Sequence, residues 1–259
     1  MDAAQPSRRE PVLNADPTAQ ARLLHLQDVD ARLDQAEHRR RTLPEHAEIA
    51  RLAEARTAID DEVVLAETDC SDLELEQRKA DVDVEQVRAR AARDQHRLDS
   101  GQVGSAKDLE NLQHEIVSLA RRQAVLEDVE LEIMERLEVA QARWRAALAE
   151  RDLLDADLET QTASRDAELA TIGGQTDGMD VDREALAAAL PADLLVLYEK
   201  LRAQFGGVGA AALRQRRCEG CRLEINSTEL GRIRAAPADE VLRCEECRRI
   251  LVRLADSGL

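Results

Sequence analysis

Four of the five cysteines in this chain of 259 residues are grouped in two pairs, and their spacing is the first feature that could do chemistry. Two residues separate Cys218 from Cys221, and the same spacing separates Cys244 from Cys247 after an interval of 22 residues. Two residues between thiolates let one tight turn present both sulfurs to one ion. Two such turns supply four tetrahedral ligands, so the sequence predicts one structural Zn²⁺ bound by these four cysteines.

A dithiol redox pair and an iron–sulfur cluster are the alternatives for the same four cysteines. Tetrahedral zinc is favoured because paired Cys-x2-Cys motifs are typical of zinc ribbons. A catalytic zinc ion is disfavoured, since four thiolates leave no open coordination position and no histidine lies in the last 145 residues. The remaining cysteine, Cys70, falls on an apolar helical seam, and we interpret it as a small core residue. No nucleophile and base are arranged together elsewhere, so no enzymatic activity is predicted.

The segments around the cysteines predict a small mixed ribbon over residues 206–259. Strand-like stretches occur before the first cysteine pair (VGAAALRQRR) and around the second (EVLRC and RRILVR). Between the pairs, Asn226 and Glu229 have the spacing of a helix cap, which predicts a short helix through Ile233.

Ahead of the ribbon, apolar residues recur at alternating spacings of three and four, which is the heptad pattern of a coiled coil. One seam runs over 63–98 and a second over 109–158. The loop between them contains two glycines and the cap pair Ser105 and Asp108. This loop has only about eight residues, so it cannot carry the chain to the far end of a rod. The sequence therefore predicts an antiparallel hairpin. Matching the two seams outward from the loop places Val63 opposite Trp144.

The composition supports the same fold class. Hydrophobic residues make up 44% of the chain but aromatic residues only 1%, whereas a globular core normally contains more aromatic volume. Abundant Ala, Leu, Glu and Arg are typical of long helices and coiled coils. We therefore predict a mainly α protein, with a long antiparallel coiled-coil hairpin and a small C-terminal four-cysteine zinc ribbon of α+β type.

Helix-breaking residues predict the domain boundaries. Thr42 and Glu45 have capping-box spacing around Pro44, so a new helix is expected to begin there. Gly173 and Gly174 are expected to end the second hairpin helix. The predicted domains are a flexible lead over 1–16, the hairpin over 17–178 with its tip at about 99–106, connecting helices over 179–205, and the zinc ribbon over 206–259.

The net charge of −17 is unevenly distributed along the chain. Residues 1–205 contain 26 basic and 45 acidic side chains, whereas residues 206–259 contain 10 arginines and 8 acidic side chains. The first part would repel a phosphate backbone or an anionic membrane surface, and only the last part would tolerate one. No apolar run approaches the length of a membrane span or a signal segment. We expect a cytoplasmic protein without membrane contact, whose thiols stay reduced.

The ribbon arginines are the candidates for contact with a partner, either phosphates or an acidic protein. The ribbon has no aromatic residue on which a base could stack. We therefore predict an adaptor or scaffold with protein partners and no small-molecule substrate. The alternative is RNA or DNA binding through the ribbon. The candidate residues are Arg214, Arg216, Arg217, Arg222, Arg232, Arg234, Arg243, Arg248, Arg249 and Arg253.

The chain resembles the bacterial C4-type zinc ribbon proteins that carry a long coiled-coil hairpin. The resemblance covers nearly the whole chain and rests on DSGQVGSAKDLENLQHEI at the tip, LPADLLVLYEKLR and FGGVG before the ribbon, and CEGC and LRCEECRRIL within it. It implies a zinc-binding, non-enzymatic protein that binds nucleic acid or acts as an adaptor. Some family members are linked to the enhancer-dependent sigma factor and to flagellar export, which directs attention to the regulation of transcription, translation or export. The tip SGQVGSAKD lacks the aromatic residue often found in that loop.

Overall fold

The computed structural model describes residues 13–259, in which long helices precede a small sheet. These residues form two compact units, one over 45–164 and the other from residues 13–44 together with 165–259. The predicted fold class, a helical hairpin followed by a small ribbon, is confirmed. The elements are α1 Pro17–Arg41, α2 Pro44–Asp99, α3 Ala106–Ala188, α4 Ala192–Gln204, β1 Ala210–Arg214, β2 Arg217–Cys218, α5 Ser227–Ala235, β3 Leu242–Arg243 and β4 Ile250–Arg253.

Residues 45–164 form the hairpin from α2 and the first part of α3. At the tip, the Ser105 hydroxyl accepts a hydrogen bond from the Asp108 backbone N–H at 3.2 Å, which confirms the predicted cap. Cys70 is 5% exposed, as expected of a core residue, and burial raises the pKa of its thiol. The other buried seam residues in this unit are Leu52, Ile59, Val63, Ala66, Leu73, Ala80, Val84, Leu112, Leu119, Ile133, Leu137 and Ala147.

The apolar seam fixes the register of the hairpin. Val63 packs in one cluster with Ile59, Ala147 and Trp144, as the predicted pairing of Val63 with Trp144 requires. Ion pairs also join the two helices, including one of 3.1 Å between Arg143 and a carboxylate of α2. Both partners of that pair are about half exposed, so it contributes at most about 1 kcal/mol. The seam is therefore the main source of specificity.

Glu130 is a carboxylate on the seam, and we expect its replacement by Gln to stabilise the hairpin at neutral pH. Its pKa is raised, first by a hydrogen bond with the Asp81 carboxyl group and then by burial. A carboxyl group whose pKa is raised on folding binds protons more tightly in the folded state, so stability increases as the pH falls through that pKa. Glu130→Gln should raise the melting temperature at pH 7.5 and reduce the gain on acidification. Thermal unfolding at several pH values measures both, and a variant that keeps the full gain would contradict the assignment.

The second hairpin helix is longer than predicted, and the expectation that Gly173 and Gly174 end it is wrong. Helix α3 continues through both glycines to Ala188. Neither glycine has a positive φ, and the adjacent Ile172 is only 1% exposed, so packing outweighs the low helix propensity of glycine. The helix stops shortly before Pro191, because the residue before a proline is disfavoured in helical conformation.

The ends of α1 also differ from the predictions. Of the predicted flexible lead over 1–16, residues 1–12 lie outside the described residues. Residues 13–16 are described, and they are held in place. Ala15 donates its N–H to the Asp239 carbonyl at 2.7 Å, and the Asp16 side chain caps α1. At the other end, Thr42 donates its hydroxyl to the His38 carbonyl. Thr42 thus terminates α1 and does not form a capping box for α2, which begins at Pro44 as predicted.

In the second unit, a hydrophobic core forms where α1 and α4 pack on the sheet. It is built from apolar residues of all three, including Leu23, Leu194, Tyr198 and Ile250. Helix α4, which lies within the connecting helices predicted over 179–205, is thus joined to the ribbon through this core. Gln27 of α1 adds a polar link, because its side-chain oxygen accepts the N–H of Gly209 at 2.7 Å and its amide nitrogen donates to the Gly207 carbonyl at 3.0 Å.

A buried carboxylate organises the same core. Asp30 is fully buried, and its Oδ1 accepts a hydrogen bond from Arg183 Nε at 2.6 Å. Its Oδ2 accepts from the Tyr198 hydroxyl at 2.5 Å and lies 3.3 Å from Arg202 Nε. Burial, with the hydrogen bond to Asp30, raises the pKa of Tyr198, so this hydroxyl stays protonated and donates. The sequence analysis did not predict this network, although an Asp that follows Val29 on an apolar helical face was a signal of a buried carboxylate.

Across residues 13–259, no helix combines the length and the apolar character that a membrane span requires.

Candidate metal centre

The four predicted ligands are held by a four-stranded sheet in the order β2-β1-β4-β3. Strand β1 runs antiparallel to β2 and parallel to β4, and β3 runs antiparallel to β4. Cys218 is the last residue of β2, and Cys244 directly follows β3. The predicted strands at both cysteine pairs are confirmed, whereas β2 and the parallel pairing were not foreseen.

The two cysteine turns, which we call the first and second knuckles (218–222 and 244–248), repeat one backbone geometry. In the first, the N–H of Arg222 donates to the Cys218 carbonyl at 2.7 Å, and in the second the N–H of Arg248 donates to the Cys244 carbonyl at 2.9 Å. Both arginines have φ in the left-handed region, +60° and +63°. Each knuckle therefore reverses the chain within five residues and brings its two sulfurs together.

The four sulfurs fit a single zinc ion. All four lie within 4.8 Å of one another, with 3.8 Å between the sulfurs of Cys218 and Cys247 and 4.0 Å between those of Cys221 and Cys244. A tetrahedral site with Zn–S bonds of about 2.3 Å requires S–S distances of about 3.8 Å. The cysteines, two from each knuckle, thus have the spacing of a closed structural site.

The thiols are in a mostly apolar environment. Burial raises the pKa of Cys218, and it raises the pKa of Cys244 to about 11. Burial also acts on Cys247, but the backbone N–H and the side chain of Arg249 lower the pKa of this thiol below its usual value. Because zinc binds thiolates, metal binding must release protons, and acid competes with the metal.

The sulfurs are also part of the hydrophobic core of the ribbon. Cys218 and Cys244 are each 1% exposed and pack with Leu213, Ile233 and Leu251. Closing the metal site therefore also closes this small core. A ribbon of this size buries little apolar surface by itself and needs such a staple.

The insert between the knuckles contains the predicted short helix, α5. The Asn226 side chain accepts a hydrogen bond from the Glu229 N–H at 2.9 Å. The predicted capping by Asn226 is therefore confirmed. The Glu229 side chain does not return to the cap. It is 3% exposed and accepts the backbone N–H of Glu245, in the second knuckle, at 3.2 Å.

The structure divides the predicted partner-binding arginines into two groups, and the first group has structural contacts. Arg249 donates to the carbonyls of Val208 and Phe205, at 3.0 and 3.1 Å, and its guanidinium lies 5.4 Å from the centre of the Phe205 ring. Arg253 donates to five backbone carbonyls in the segment 233–240. Arg249 and Arg253 thus clamp the ribbon together and are not available to a partner.

The second group is exposed. Arg214 lies 3.7 Å from Asp256, and Arg232 lies 3.2 Å from Glu245, so these two already have acidic neighbours. Arg243 belongs to neither group, since it is half-buried and donates to the carbonyl of Arg248. The exposed positions among the predicted set are Arg214, Arg216, Arg217, Arg222, Arg232, Arg234 and Arg248.

The glycine-rich stretch FGGVG joins α4 to the ribbon. Gly207 has φ +92°, which favours glycine. At Gly209, a Cβ atom would lie 2.6 Å from the Tyr198 carbonyl oxygen, so only glycine allows this close approach. These two positions explain physically why the stretch is a recognisable feature of the sequence.

Comparisons with known proteins agree with this architecture. Residues 26–206 match the CT398-like coiled coil hairpin domain, and residues 217–251 match the C4-type zinc ribbon domain. An uncharacterized protein of Mycobacterium tuberculosis is 39% identical over 242 residues, which cover 93% of this chain and 98% of the relative. An uncharacterized protein of Mycobacterium leprae is 32% identical, covering 89% of this chain and 97% of the relative.

Solved structures show the same fold. A protein from Mycobacterium smegmatis, 36% identical, superposes with a TM-score of 0.80 and covers 93% of this chain and 100% of its own. The CT398 protein from Chlamydia trachomatis superposes with a TM-score of 0.65, covering 92% of this chain and 98% of its own. At 15% identity, this second likeness shows the fold alone.

The hairpin and the converging cysteines define the class, a zinc ribbon protein with a helical hairpin. The chain belongs to the CT398-like coiled-coil hairpin family, and its ribbon is a C4-type zinc ribbon whose four cysteines can hold one zinc ion. The resemblance and the cofactor predicted from the sequence are thus confirmed. Neither matching family is an enzymatic one.

Proposed function

We propose that this protein is a non-enzymatic, zinc-binding adaptor of the cytoplasm, whose hairpin and ribbon contact different macromolecules. The observation that carries the proposal is that four of the ribbon arginines already have partners within the ribbon or beside it. Arg249 and Arg253 bind backbone carbonyls, and Arg214 and Arg232 already face carboxylates. The ribbon therefore presents a mixed surface, which suits a protein partner better than a phosphate backbone.

The hairpin supports the same proposal by its charge and its outer faces. Residues 45–164 contain 30 acidic and 15 basic side chains, so this unit has a net charge of −15. It also exposes apolar side chains away from the seam, among them Leu65 at 61%, Val139 at 71% and Leu153 at 68%. These apolar side chains are available as contacts for a partner that binds along the rod.

Nucleic-acid binding through the ribbon is the second candidate. It is favoured by Arg216, Arg217 and Arg222, which are exposed around the turn between β1 and β2 and the first knuckle. If these three contact phosphates, the logarithm of the binding constant should fall with the logarithm of salt concentration with a slope of about −2.7. Affinity for duplex DNA would then decrease about 40-fold between 50 and 200 mM salt.

Photo-crosslinking in the native cell tests the adaptor proposal. A photoreactive amino acid placed at Leu153 on the hairpin, or at Leu223 on the ribbon, should yield protein adducts that differ between the two positions and resist nuclease. Regulators of transcription, translation and export are the candidates to examine first among these adducts. Adducts that vanish with nuclease, at either position, would favour the nucleic-acid candidate.

Salt-dependent binding distinguishes the two candidates in vitro. We expect the full chain to bind a labelled DNA duplex or RNA only weakly. Any such binding should disappear in Arg216→Glu/Arg217→Glu and persist in the hairpin control Arg121→Glu/Arg122→Glu. Tight binding with a slope steeper than that of three phosphate contacts would overturn the adaptor proposal.

A further inference from the structure

The two knuckles satisfy one equivalent backbone N–H in different ways. In the first knuckle, the residue after Cys218 is Glu219, and its N–H donates to the Ala212 carbonyl of β1 at 3.0 Å. In the second knuckle, the residue after Cys244 is Glu245, and its N–H donates to the side-chain Oε1 of Glu229 at 3.2 Å. A carboxylate from α5 thus takes the place that a strand carbonyl has in the first knuckle.

Glu229 is held where it makes this bond. Its side chain is 3% exposed although it is acidic, and α5 is anchored by the Asn226 cap one turn earlier. Arg232, on the next turn of α5, lies 3.8 Å from Glu229 Oε1 and 3.2 Å from Glu245 Oε1. Through these two side chains, α5 contacts both the backbone and the side chain of Glu245.

We infer that Glu229 is a positioning residue for zinc: it fixes the second knuckle in the conformation that presents Cys244 and Cys247 to the metal. The physical reason is that an N–H that is partly shielded from water and lacks an acceptor is costly, so the knuckle adopts the conformation in which the bond to Glu229 forms. Outer groups that orient metal ligands typically change metal affinity by about 10- to 100-fold when removed. The insert between the cysteine pairs is thereby a component of the metal site.

The test uses the full chain, with zinc competition against a chromogenic chelator and the absorption spectrum of the Co²⁺-substituted protein. Glu229→Leu should weaken zinc binding by about 10- to 100-fold and alter the Co²⁺ spectrum, because the thiolates are no longer held in one geometry. Glu229→Gln keeps an acceptor oxygen at the same reach, so both measurements should stay near those of the unmodified protein.

Asn226→Ala is the matched control, because it removes the cap of the same helix without touching the knuckle. It should weaken zinc binding only through the stability of α5 and leave the Co²⁺ spectrum unchanged. If Glu229→Leu does not fold, Glu229→Asp replaces it, since the shorter carboxylate keeps the charge but withdraws the oxygen from Glu245. A Co²⁺ spectrum unchanged in the Leu or Asp variant would overturn the inference, as would a Gln variant that fails as the Leu variant does.

Discussion

Replacing Cys244 by Ser is expected to abolish zinc binding and unfold the ribbon while most of the helical signal remains. Structural zinc contributes about 10–16 kcal/mol in zinc-finger peptides at neutral pH, which exceeds what a small ribbon core can replace. Cys244 is 1% exposed, and its side chain also belongs to that core. Circular dichroism should change little, because α5 has 9 residues whereas α2 and α3 have 56 and 83.

Three measurements define this result: metal content by elemental analysis, far-ultraviolet circular dichroism, and limited proteolysis within 206–259. The matched control is Cys70→Ala, which removes the one cysteine outside the ribbon and should leave one zinc ion per chain. A Cys244→Ser protein with full zinc content and a protease-resistant ribbon would refute the four-cysteine site. Stoichiometric iron in the unmodified protein would contradict the assignment of the metal as zinc.

Asp30→Ala should produce the second large effect, a loss of about 3–5 kcal/mol in the free energy of unfolding, which is typical when one partner of a buried ion pair is removed. The change leaves Arg183 Nε and the Tyr198 hydroxyl without their common acceptor, and Arg202 without the buried carboxylate of its ion pair. Chemical denaturation followed at Tyr198 and by circular dichroism measures the loss.

Asp34→Ala is the control for that experiment. Asp34 also accepts a hydrogen bond from Arg202, at 2.6 Å, but its side chain is 51% exposed. Exposed pairs contribute about 0–1 kcal/mol, so this variant should unfold almost as the unmodified protein does. If both variants lost the same free energy of unfolding, the buried network around Asp30 would contribute no more to stability than an exposed ion pair.

The metal site was the easiest part to predict. The spacing within each cysteine pair requires only that a tight turn place two sulfurs together, and such turns are local. The arrangement of the second knuckle was harder to predict, because its N–H acceptor, Glu229, lies 16 residues away on a helix. Its spacing from Asn226 indicated a cap, and only the packed structure shows that its carboxylate contacts the knuckle instead.

The arginines show where sequence reasoning reaches its limit. Composition alone made Arg249 and Arg253 equivalent to Arg216 and Arg217 as candidates for partner contact. The backbone carbonyls that Arg249 and Arg253 bind come from other segments, so their role depends on how those segments pack. An arginine side chain has several N–H donors, so it can bind several backbone carbonyls that lie close together. The sequence does not show which carbonyls the fold brings together.

The heptad seams, the hairpin and the four ligands could be predicted from the residues alone, because each rests on a short, repeated spacing that local geometry converts directly into structure. Two other features depend on packing between distant segments: α3 continues through Gly173 and Gly174, and residues 13–16 are fixed against the ribbon. The burial of Asp30 depends on packing in the same way. The physical reason is that weak local preferences, such as those of glycine for a helix end, are outweighed by packing and buried hydrogen bonds between distant segments.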